Sequence, residues 1–256
     1  MWFVMLLPAF AIGAVLGSFL NVLIDRLSTG RTFVRGRSYC ENCKKTLKSY
    51  DLLPLVSYII LKGKCRFCKK RIPFRLFLVE LIIALLASFC YYSIIVGVIP
   101  LIVGVMLFTL LYLFFGIFVA DLIYGIIPDL MVVLSLVTAL FYINFSKMDM
   151  SNHFLSAFLC FAFFLFLFAI TKGRGMGFGD VKLSFILGLL LGSPLIIVSL
   201  YLAFLTGAFV AIILVVCRKT RFFGGTIPFG PFLILSTVIS LFYGQQILEA
   251  FLVRFF

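Results

Sequence analysis

The chain of 256 residues is 64% hydrophobic and 12% charged, with 33 Phe. A soluble domain is nearer half apolar and a quarter charged, so this composition excludes a water-soluble enzyme, a disordered chain and a disulfide-rich secreted domain. The net charge of +13 comes from 22 Lys+Arg against 9 Asp+Glu. It raises nucleic acid as a partner, but basic residues also gather in the cytoplasmic loops of membrane proteins, and their placement separates the two readings.

Crossing the hydrocarbon core takes roughly 20 apolar residues. Residues 1–24 carry no ionisable side chain and lack the basic start of a signal peptide, so they are expected to form a retained first helix. Residues 25–75 form a long polar interval. Residues 81–120 are an uncharged run long enough for two spans, with a break near Gly97 to Pro100. Residues 130–146 and 150–171 are the fourth and fifth spans. Residues 183–217 divide at Gly192-Ser193-Pro194, and residues 222–248 are the last. The expected fold is an all-α polytopic membrane protein of about eight transmembrane helices. Its parts are the first helix (1–24), a basic loop (25–75) and a membrane-embedded core of about seven helices (76–256).

The loop carries 14 basic residues, from Arg26 to Arg75. Eight spans put Lys172, Arg174, Lys182, Arg218, Lys219 and Arg221 on the same side and only Lys147 and Arg254 opposite. That asymmetry predicts a cytoplasmic loop with both termini outside. It accounts for the charge without nucleic acid and leaves an anionic-lipid contact open.

Two C-x2-C pairs, Cys40/Cys43 and Cys65/Cys68, lie 21 residues apart within the loop. Two such pairs complete a tetrahedral zinc site, and a reducing cytoplasm disfavours disulfides. A closed four-cysteine site is structural and folds a loop too small to build its own core. Cys90, Cys160 and Cys217 read as packing residues. Residues 52–61 are apolar but too short to cross. They pack against the metal module or lie at the membrane surface.

Carboxylates near spans are expensive and therefore informative. Asp149 and Glu249 fall outside, where solvation suffices. Glu80, Asp121, Asp129 and Asp180 fall at the cytoplasmic ends of spans, Asp180 within Gly177-Phe-Gly-Asp180. The two glycines allow a sharp turn and a close backbone approach. Two carboxyl groups a few ångströms apart share one proton, so one activates water while the other polarises a scissile carbonyl, with no Ser or Cys nucleophile. The one histidine, His153, is expected at the opposite interface. Taken alone, Asp121 also reads as a charge ending a helix and Asp180 as a helix N-cap.

In chain order, several segments resemble the prepilin peptidases, the type IV leader peptidases of the GxGD class of membrane aspartyl proteases. They are Gly17-Ser-Phe-Leu-Asn21-Val, the two cysteine pairs, Asp51-Leu-Leu-Pro54, Gly63-Lys-Cys65, Val79-Glu80, Asp121 with Pro128-Asp129, Gly177-Phe-Gly-Asp180-Val-Lys182 and Pro228-Phe-Gly-Pro-Phe232. The chain departs from the family pattern at Leu76-Phe77, Ser28 and Ile123. The resemblance implies an inner-membrane enzyme that removes the basic leader of prepilins or pseudopilins at the cytoplasmic face. Many members with the cysteine loop also N-methylate the new terminus with S-adenosylmethionine. Carried over by motif, Asp121 and Asp180 are the catalytic aspartates, and Cys40, Cys43, Cys65 and Cys68 are the zinc ligands. Gly63 and Glu80 match positions linked with methyl transfer. Two other functions use part of the pattern. A proton-coupled transporter needs acids deep within spans, and a non-enzymatic zinc-loop scaffold of a secretion machine has no use for a glycine-flanked aspartate.

Overall fold

The computed structural model describes residues 2–30, 38–173, 175–217 and 228–255. The basic residues Arg31, Arg35, Arg37, Arg174, Arg218, Lys219 and Arg221, and the first six residues of the expected last span, lie outside them. The long helices are α1 (Trp2–Ser28), α3 (Phe74–Ile95), α4 (Leu101–Tyr124), α5 (Asp129–Phe145), α6 (Met150–Thr171), α7 (Phe178–Leu191), α8 (Leu195–Val216) and α9 (Gly230–Phe255). A short helix α2 (Val56–Ile60) and a 3₁₀ turn (Ser49–Leu52) lie in the loop. Six of these helices, all the long ones except α5 and α7, are long and apolar enough to cross a membrane.

The helix breaks follow local chemistry. Gly97 (φ 77°) and Pro100 separate α3 from α4, and Gly192 (φ 65°) with Pro194 separates α7 from α8. The expected last span starts too early. Helix α9 begins at Gly230, with Pro231 in its first turn, where a fixed φ and a missing N–H cost nothing. Helix α7 has only 14 residues, yet ten of them, from Asp180 to Leu191, are buried. That burial shows α7 enclosed by neighbouring helices of its unit.

The chain divides into two compact units, residues 1–108 and 109–256. In the first, α1 and α3 pack at very short range. A Cβ on Gly13 would lie 2.8 Å from the Ala84 Cα, and one on Gly17 2.7 Å from the Glu80 Cα. This is a Gly-x3-Gly stripe, which in lipid lets backbones meet where side chains would hold them apart. Asn21 of α1 donates to the Leu76 carbonyl at 3.0 Å, and Arg75 pairs with Asp25 at 3.3 Å. In the second unit, Gly188 of α7 sits against Ser156 and Ala157 of α6. Ser199 of α8 bonds Ser236 and Thr237 of α9 at 3.1 and 3.2 Å. Such hydroxyl pairs join helices where no water competes.

Candidate functional site

Within the second unit, Asp121 lies in the last turn of α4 and Asp180 in the first turn of α7. Both are buried, 5% and 6% exposed. The segments that carry them converge on the Ile127 side chain. The Ile127 side chain lies between their supports. A Cβ on Gly179, beside Asp180, would come 3.0 Å from the Ile127 Cβ. A Cβ on Gly230 would come 3.4 Å from its Cδ1 and 2.6 Å from Asp121 Oδ2. Gly230, within the Pro-Phe-Gly-Pro-Phe segment, is therefore part of the site. In the sequence it is marked only by the prolines at 228 and 231, within the expected last span.

Asp121 Oδ2 and Asp180 Oδ1 are buried with no hydrogen-bond partner among the described residues. Such groups are costly, and a functional site is where that cost is tolerated. Asp129 does not join them. Its side chain is 73% exposed and pairs with Lys182 of α7 at 2.7 Å. The pair links the start of α5 to the first turns of α7 at the surface. Gly177 does not need to be glycine for its backbone, since its φ of −76° is open to any residue. The close approach falls at Gly179, on the Ile127 side chain rather than on a backbone.

His153 lies at the opposite end of this unit, at the start of α6 near the C-terminus of α7. It is buried rather than interfacial, with Nδ1 2.7 Å from the Leu189 carbonyl and its ring against Gly192. Nδ1 carries the proton, because a carbonyl only accepts. Asp149 caps α6 by accepting from the Ser151 N–H at 3.1 Å. Cys90 and Cys160 are buried, as expected of packing residues, but Cys217 is exposed.

The first unit holds the cysteine module. The two pairs form matching turns. Cys40 N–H bonds the Lys45 carbonyl and Lys44 N–H the Cys40 carbonyl; Cys65 and Lys70, then Lys69 and Cys65, repeat the pattern. In both turns the fourth residue after the first cysteine, Lys44 or Lys69, has φ 57°. All four sulfurs lie within 4.8 Å of one another, with Cys40 and Cys68 at 3.8 Å. A tetrahedron of about 2.3 Å metal–sulfur bonds has edges of about 3.8 Å, so the cluster has the dimensions of a metal site. The Lys70 N–H holds the Cys68 thiol down to about 6. Against the pull of the Lys45 N–H, burial and the neighbouring sulfurs push Cys43 up to about 11. Four sulfurs this close do not all ionise without a cation among them.

Glu80 is half-buried on α3, and its Oε2 accepts from the Leu55 N–H at 2.8 Å. Leu55 itself packs with Ala14 and Ala84, next to Phe10, Phe77 and Leu81. Gly63 (φ 66°) ends the turn after α2, and its carbonyl accepts from the Ile72 N–H at 2.8 Å. A Cβ there would meet the Tyr58 hydroxyl at 2.9 Å. Tyr58 packs near Phe77 with centroids 5.1 Å apart, so Gly63 lies beside an aromatic patch.

Two family profiles match the chain. One, described as the bacterial peptidase A24 N-terminal domain, covers residues 11–94, and the other, the type IV leader peptidase family, covers residues 108–212. A prepilin leader peptidase/N-methyltransferase of Pseudomonas aeruginosa is 30% identical, covering 94% of this chain and 91% of that protein. Proteins of the same name from Bacillus subtilis (28% identical, 97% and 98% covered) and Vibrio cholerae (30%, 90% and 94%) are also similar. No solved structure matches.

Proposed function

The chain belongs to the type IV leader peptidase family, peptidase A24, and on that premise we propose that it is a multi-pass membrane prepilin leader peptidase and N-methyltransferase with Asp121 and Asp180 as its catalytic pair. The observation that carries the mechanism is the pair itself: two buried carboxyls on α4 and α7, on segments that converge on Ile127, each with an oxygen that has no partner among the described residues. With one proton shared between them, the ionised carboxylate takes a proton from water as its oxygen adds to the scissile carbonyl carbon. The protonated partner hydrogen-bonds the carbonyl oxygen and stabilises the negative charge that develops there. Return of a proton to the amide nitrogen then lets the C–N bond break.

The excess of basic residues in the loop supports a reading in which this end of the helices faces the cytoplasm at the inner membrane, with eight spans and both termini outside. The substrates are prepilins or pseudopilins, whose apolar stretch brings them in laterally among the helices. Cys40, Cys43, Cys65 and Cys68 would hold a structural zinc ion, cross-linking the two turns. The methyl group for the new N-terminus would come from S-adenosylmethionine. Glu80 would offer its half-buried carboxyl group to a cationic sulfonium, and Gly63 leaves room beside the Tyr58 ring.

The test is cleavage of a prepilin by purified wild-type protein and by the Asp121→Asn and Asp180→Asn variants. Mass spectrometry of the mature N-terminus reads cut position and methyl group together. Each variant is expected to lose cleavage by at least about 1,000-fold, within the range of general acid–base catalysis. Undiminished cleavage by either removes that residue from the pair.

A further inference from the structure

The loop of the first unit leaves four of its described cations, Lys62, Lys64, Lys69 and Arg71, without a ring, carboxylate or side-chain hydrogen-bond partner among the described residues. Lys44, Lys45, Lys48 and Arg66 lie over aromatic rings, and Lys70 donates to Asn42. Asp51 is taken by Arg66 and Asp25 by Arg75. Lys62, Lys64 and Lys69 are exposed, and none has a carboxylate partner among the described residues. These three nonetheless converge. With Ile60, Leu61 and Cys65 they line one open recess of about 280 Å³.

The edge of that recess is apolar. Leu55, just before α2, and Tyr58 within it face the α1–α3 core, while Val56, Ile59 and Ile60 are 51%, 64% and 68% exposed. Exposed aliphatics beside unpaired lysines are the composition of a segment that lies in a membrane interface, with alkyl groups among the upper acyl chains and ammonium groups at the phosphates. The bilayer is within reach by construction, because the loop leaves α1 at Ser28 and enters α3 at Phe74, both candidate spans.

We propose that the Ile59–Ile60 edge and the Lys62, Lys64 and Lys69 recess form a docking surface for the anionic phospholipid headgroups of the bilayer that α1 and α3 cross. The surface holds the cysteine module flat against the membrane. An acidic polypeptide matches the lysines but gives no reason for the adjoining aliphatic edge. This docking does not depend on the peptidase reading.

The test is hydrogen exchange of residues 56–64 in the full-length, metal-loaded protein. It compares nanodiscs of phosphatidylcholine alone with nanodiscs containing about one-third phosphatidylglycerol. Each lysine near an anionic surface shifts the balance about fivefold, and salt screens part of this. Exchange is expected to slow about tenfold in the anionic discs. The Lys62→Gln/Lys64→Gln/Lys69→Gln variant loses this protection, and the corresponding Arg variant keeps it. Unchanged metal content in both shows that the module remains folded. Equal exchange in the two lipids, or protection that survives in the Gln variant, overturns the proposal. So does equal protection in phosphatidylcholine discs on adding inorganic phosphate or a polyglutamate peptide, which would identify a soluble anion or an acidic protein as the ligand.

Discussion

Substituting Gly230 tests whether the site depends on how closely α9 closes over Asp121. In Gly230→Ala the new Cβ would fall 2.6 Å from Asp121 Oδ2 and 3.4 Å from Asp121 Cγ and Ile127 Cδ1. Ordinary contact lies near 3.5 Å, so the carboxylate must retreat by about 0.9 Å. Burial at 5% exposure leaves it little room to do so. A misplacement of about 1 Å at a reacting group costs roughly 100-fold, about 2.7 kcal/mol of transition-state stabilisation. The measurement is kcat/KM for cleavage of a prepilin, alongside thermal unfolding of the same preparation. Gly177→Ala is the control. Its Cβ meets nothing nearer than 3.9 Å, and it should stay within about twofold of wild type. Wild-type cleavage by Gly230→Ala, or equal loss in both variants, would refute the claim that this contact sets the carboxylate's position.

Two further predictions concern the first unit. Cys40→Ser should lower bound zinc, measured by elemental analysis, and make the loop near residues 38–48 sensitive to protease, since the module has few apolar contacts to replace the metal; a chelator should do the same to the wild type. Gly17→Ala places a methyl group 2.7 Å from the Glu80 Cα. Because backbone cannot swing away as a side chain can, the helices must separate at an overpacking cost of about 1–3 kcal/mol, to be read as earlier unfolding in detergent.

Local features were legible in the sequence. Apolar run length placed the long helices, and Gly97, Pro100, Gly192 and Pro194 marked the breaks, because glycine and proline act on their own residue's backbone. The spacing of Cys40, Cys43, Cys65 and Cys68 announced a cluster, since a C-x2-C turn brings two sulfurs together by itself. The start of α9 was less legible, because an apolar stretch continues upstream of the prolines that delimit the helix.

The sequence by itself determined how much of the chain is helical and apolar, where the cations gather and which residues have metal-binding spacing. All of these depend on composition or on neighbours a few positions apart. Only the tertiary structure separated Asp129, held at the surface by Lys182, from Asp121 and Asp180, buried near one another. It alone set Gly230 over Asp121, gave the Glu80 carboxylate to the Leu55 N–H, and enclosed the short α7 within protein. Those relations join residues distant in the chain, and no local spacing encodes them. They arise when helices approach closely enough to exclude both lipid and water.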